Sequence, residues 1–88
     1  MVTVTRVAAT ASAILLARLM AERRSVTIYN DSQGFLLVRP GGVPTTTLFT
    51  VRIPPNDHWD APAAIAPAEY QGLWTGDTTG GALVTEGF

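Results

Sequence analysis

Residues 25–39 read SVTIYNDSQGFLLVR, and the fold class turns on how this stretch is divided. Ser25 to Asn30 alternates, with Val26 and Ile28 on one face and Thr27 and Tyr29 on the other, the period of a half-buried strand. Phe35 to Arg39 is apolar almost throughout, as in a strand covered on both faces. Asp31 to Gly34 between them is rich in turn formers, so the two strands are expected to pair as an antiparallel hairpin.

The same grammar runs toward the C-terminus. Thr46 to Ile53 alternates again, with Phe49, Val51 and Ile53 opposite Leu48, Thr50 and Arg52, and Pro54-Pro55 ends it because neither residue can donate to a ladder. Further strands are expected at His58 to Ala61, Tyr70 to Thr75 and Ala82 to Glu86, with Gly41-Gly42 and Gly80-Gly81 as turns between strands. Strands at this spacing predict a mainly β protein, a small antiparallel β-sandwich or barrel.

Toward the N-terminus the signals conflict. Thr3, Val4, Thr5 and Val7 suit a strand, whereas Ala13 to Arg24 contains strong helix formers with Ile14, Leu15, Leu19 and Met20 at helical spacing. Glu22 lies C-terminal to Arg18, the weaker order for an i,i+4 pair, and no Gly or Asn closes the segment before Ser25. The expectation is therefore a strand over 2–7, a second near 13–17 and a short helical turn over 18–23. Residues 1–7 are either an edge strand of the sandwich or an arm used in assembly.

Composition bounds the function. The chain has 88 residues, 47% hydrophobic and 15% charged, which is one folded domain spanning 1–88 with a thin core. Its net charge of -1 offers no field to gather nucleic acid or an anionic membrane, so neither is expected as a partner. Cysteine is absent, removing disulfides, thiolate chemistry and cysteine-based zinc sites together. The apolar stretch Val7 to Ala17 is interrupted by Thr10 and Ser12 and too short to span a bilayer; Arg18, Glu22, Arg23 and Arg24 then stand where a secretion signal would place its cleavage site. The stretch reads as part of the mature domain.

Little in the chain resembles catalytic machinery. His58 is the single histidine, flanked by Asp57 and Asp60, but no second nitrogen or sulfur ligand accompanies it. Asn56-Asp57 reads as a turn and His58 as the start of a strand. No serine lies in a nucleophile elbow, and a domain of this size has little room for a sugar cleft between paired acids. No enzymatic activity and no cofactor are expected. Arg23-Arg24 beside Glu22 is the densest positive charge, either a solvated turn or a contact for a partner's carboxylate or phosphate. Trp59 and Trp74 are either core fillers or the platform of a carbohydrate-binding module, which requires one of them exposed.

The order of motifs is distinctive: Thr3-Val4-Thr5, Leu15-Leu16-Ala17, Arg23-Arg24-x-x-x-Ile28-Tyr29-Asn30-x-Ser32, Pro40-Gly41-Gly42, Ile53-Pro54-Pro55, Trp59 to Pro62, Gly72-Leu73-Trp74 and Val84-Thr85-Glu86. It resembles the small virion-associated structural proteins of tailed bacteriophages and prophages. That resemblance implies a compact β-sandwich on the phage particle, made in the bacterial cytoplasm. The role implied is a capsid decoration or minor capsid protein on the major capsid protein, with a tail, fibre or baseplate module as the alternative. A multi-copy assembly or homo-oligomer follows, with Thr3, Val4, Thr5, Leu19, Met20, Arg23, Arg24 and Trp59 as the expected interface. The chain departs from the family pattern at Arg18 to Glu22, where a short polar turn is usual; the apolar Leu19 and Met20 there are expected to dock on a partner.

Overall fold

A computed structural model describes residues Met1–Phe88 as eight strands in two sheets. The strands are β1 (Val2–Ala8), β2 (Ile14–Ala17), β3 (Ser25–Ser32), β4 (Phe35–Pro40), β5 (Val51–Ile53), β6 (His58–Asp60), β7 (Tyr70–Thr75) and β8 (Gly80–Gly87). One sheet has the order β1-β8-β3-β6 and the other β2-β7-β4-β5, every pairing antiparallel. The result is the expected small β-sandwich. A 3-10 turn at Ala63–Ile65 is its single helical element, and no helix is long and apolar enough to cross a membrane.

The strands alternate as their sequences do. Val26, Ile28, Asn30 and Ser32 of β3 point inward and are buried, as are Ala82 and Val84 of β8. Across the core stand Leu16, Leu36, Val38, Ile53, Tyr70 and Trp74 of the second sheet. Each full burial of a large apolar side chain is worth about 1.5–3 kcal/mol against exposure. In β4, Leu37 is buried on the outer face as well, beside Arg52 and Leu73 in the flanking strands, so this strand is covered on both sides.

The connectivity departs from the hairpin reading. β3 pairs with β6 and β8, while β4 pairs with β5 and β7 in the opposite sheet. Consecutive strands face each other across the core as β-arches, and only β4 and β5 are neighbours both in sequence and in a sheet. The corner at Gln33-Gly34 is made by buried polar groups: Asn30 Nδ2 donates to the Gly34 carbonyl at 2.8 Å, and Ser32 Oγ donates to Asn30 Oδ1 at 2.7 Å. Gly34 itself lies against the backbone of Thr75 and Asp77 in the β7–β8 arch, where any Cβ would collide with their carbonyls. Asp77 holds that second arch through the Thr79 N–H and hydroxyl, both at 2.8 Å, and these bonds keep its carboxyl below the usual range.

Three further expectations are corrected. The strand expected over 46–53 is confined to Val51–Ile53, because the Thr45 hydroxyl accepts from the Leu48 N–H at 3.0 Å and folds 45–48 into a turn. Residues 18–23 form no helix; Arg23 N donates to Met20 O at 3.1 Å, closing one β-turn. Gly80 and Gly81 are not a turn but the first residues of β8, Gly80 at φ +90, with the Val7 and Asp31 carbonyls where their Cβ atoms would sit.

Candidate interaction surface

A sandwich of two open sheets has four edges. β5 and β6 have three residues each and are joined by the stretch Pro54 to Asp57, in which Asn56 adopts φ 62. β2 has four residues and a register break between Leu15 and Ala17. Short length, a bulge and adjoining prolines blunt an edge against further pairing. β1 carries none of these features: it is seven residues long and pairs with β8 in unbroken register from Val2↔Gly87 to Ala8↔Gly81.

The ladder fixes which backbone groups of β1 are free. Phe88 N donates to Met1 O and Ala9 N donates to Gly80 O, each at 3.0 Å, so the hydrogen-bonded pairs carry odd numbers in β1. Alternation then turns the N–H and C=O groups of Val2, Val4, Arg6 and Ala8 away from β8, toward the open edge. The one charged side chain, Arg6, is held by Asp31 at 2.8 Å, with both groups about half exposed. Val4 is 62% exposed.

Beside this edge the sandwich gapes. A groove of about 500 Å³ runs between the inner face of β1 and the edge strand β2, lined by Thr3, Thr5 and Val7 on one side and Leu15, Leu16 and Met20 on the other. Of the expected interface residues, the structure therefore gathers Thr3, Thr5 and Met20 around one groove, with Val4 on the same strand. Leu19, 70% exposed, stands next to Met20, and Arg24 is exposed nearby, its N–H donating to Gly87 O. Trp59 lies apart, half-buried on β6 at the far edge of the first sheet, edge-on to Tyr70 with centroids 6.2 Å apart.

Arg23 is a correction. It is 2% exposed and unavailable to any partner. Its Nε donates to Ala66 O and its Nη1 to both Arg18 O and Glu86 Oε2, each at 2.8 Å, while Nη2 donates to Ala68 O. The guanidinium thus ties the β2–β3 connection, the segment before β7, and β8 together, and packs 5.5 Å from the Tyr70 ring centroid. The arginine fork, with several donors in one plane, suits this arrangement where a lysine would not.

Tyr70 carries a pH signature. Burial pushes its phenol above the ordinary value of 10.0, with Arg23 pulling partly back. Because the folded state holds this proton more tightly than the unfolded state, the contribution is complete below the unfolded value and is lost as pH rises through the folded one. Urea midpoints should therefore show a component that declines above about pH 10. Tyr70→Phe, less stable at neutral pH for want of the bond to Ile65 O, should lack it.

Trp74 offers no sugar platform: it is 2% exposed, and its Nε1–H donates to Asn30 Oδ1 at 3.2 Å inside the core. His58 lies exposed between Asp57 at 3.8 Å and Asp60 at 3.6 Å, and no three acidic or imidazole groups converge on a common point. The apolar groove residues Val7, Leu15 and Leu16 escaped sequence reading as a surface because apolar strand residues read as core: Leu16 is core as well as groove wall, while Val7 is only partly buried and Leu15 is 43% exposed. Comparison with family models, with curated proteins and with solved structures finds no match to this chain.

Proposed function

We propose that this protein is a non-enzymatic structural component of a tailed-bacteriophage virion, a capsid decoration or minor capsid protein held in many copies on the major capsid shell. The observation that carries the assembly part of this reading is the unblunted edge of β1 beside an apolar groove, in a sandwich whose other three edges are short, bulged or closed by prolines. Such an edge accepts a strand from another chain, main-chain bonds giving affinity and the groove giving selectivity. The virion part rests on the order of motifs along the chain, and the thin core fits a domain that gains stability from its neighbours. Contacts weak singly are multiplied by the symmetry of a shell.

Quantitative mass spectrometry of purified particles tests this. One or more copies per capsomer is the expected result. A few copies per particle would move the protein to the tail, fibre or baseplate, and its absence from particles would overturn the virion reading.

A further inference from the structure

The free edge of β1 has the attributes of a self-complementary seam. Its outward-facing backbone groups belong to Val2, Val4, Arg6 and Ala8, all even-numbered. An antiparallel pairing with a second copy must therefore match even residues with even ones, which keeps both outer faces on the same side. One register uses all four on each strand: Val2 opposite Ala8 of the other copy and Val4 opposite Arg6, with Thr5 facing its own symmetry mate on the two-fold axis. On the inner face Thr3 then meets Val7, and the two Thr5 hydroxyls lie side by side, a favourable cross-strand pair.

Charge agrees with this register. Arg6 is the only charged residue of β1 and is neutralised within its own chain by Asp31 at 2.8 Å. It faces Val4 of the other copy, whereas a shift of one outward position toward the C-terminus would set the two arginines opposite each other, which is destabilising. The same pairing brings the two grooves together beneath the joined sheet, covering Leu15 and Met20, which stand 43% and 36% exposed in the single chain.

We infer that two copies of this chain associate through β1 about a two-fold axis, fusing two four-stranded sheets into one continuous sheet. The inference rests on the assembly reading of β1 and names its partner; it does not depend on the virion.

Sedimentation equilibrium of the full chain tests it, with twice the 9.3 kDa chain mass expected at micromolar concentration and above. Val4→Pro removes an N–H that β8 does not use, so it should leave the thermal stability of the dilute monomer nearly unchanged while weakening dimerisation on the order of 100-fold, through two symmetry-related losses. Val4→Lys, a second edge-blocking variant, should act in the same direction. The chain has no cysteine. Thr5→Cys should therefore give a disulfide-linked dimer on oxidation in far higher yield than Val4→Cys. A chain that is monomeric at all concentrations, Val4 variants that dimerise like the parent, or preferential cross-linking at position 4 would overturn the inference. A monomeric chain still abundant in particles would end this dimer and leave the assembly reading standing; a dimer absent from particles would do the reverse to the virion reading.

Discussion

Arg23→Met is expected to lower stability by about 3–5 kcal/mol, a large part of the roughly 5–15 kcal/mol that holds a domain together. Methionine fills much of the volume, so the loss is not one of packing. It arises because the carbonyls of Ala66, Ala68 and Arg18 lose their donor and Glu86 loses its counter-charge, the Ala66 carbonyl in a fully buried place and the others in partly buried ones that water reaches only in part. For a chain of this length the melting temperature should fall by roughly 15 °C or more. Arg23→Lys should recover only part of that, since a single ammonium cannot reach acceptors on three segments. Glu86→Gln should cost less than either, its carbonyl still accepting from Nη1. Urea denaturation followed by circular dichroism measures all three; an Arg23→Met protein as stable as the parent would show that the guanidinium network is not structural.

Asn30→Asp is expected to be nearly as damaging although it changes one atom. The Asn30 amide is saturated: Nδ2 donates to Gly34 O at 2.8 Å and Ile53 O at 2.9 Å, while Oδ1 accepts from Ser32 Oγ and the Trp74 indole. Exchanging the Nδ2 amine for an oxygen sets a second acceptor against two carbonyls in the core, with nothing else buried lacking a partner to compensate. A loss of about 3 kcal/mol follows from the unsatisfied groups alone. Trp74 fluorescence reports the change directly, with a shift to longer wavelength as the β3–β4 corner loosens. Equal stability of Asn30→Asp and the parent would contradict the hydrogen-bond assignment.

These two residues also show what was legible in the sequence and what was not. Strand positions followed from alternation, because the side-chain period of two is a local property: Val26 and Ile28 face inward as their spacing required. Pairing was not legible, because a short polar connection serves a hairpin and a β-arch equally well. What distinguishes them is whether Asn30 and Ser32 are buried, and that depends on Ile53 and Trp74, remote in sequence. Arg23 is the extreme case. Beside Glu22 and Arg24 it reads as a solvated turn, and its partners at Ala66, Ala68 and Glu86 lie 43, 45 and 63 positions away. Thr46 to Thr50 alternates like a strand but yields to the local hydroxyl bond from Thr45. The interaction surface was half legible: Thr3, Val4, Thr5 and Met20 carried it in sequence, while the groove beside them exists only because β1 and β2 end their sheets on the same side.

In the proposed assembly the outward edge of β1 is the working surface of the molecule. Residue-resolved amide hydrogen exchange measures it most directly, in the dilute chain and again at assembling concentration. The amides of Thr3, Thr5 and Val7, bonded to β8, should be protected in both conditions, and those of Val4 and Arg6 should exchange freely when dilute and become protected on assembly. Protection of Val4 and Arg6 already in the dilute monomer, or their free exchange in the assembled state, would contradict the account.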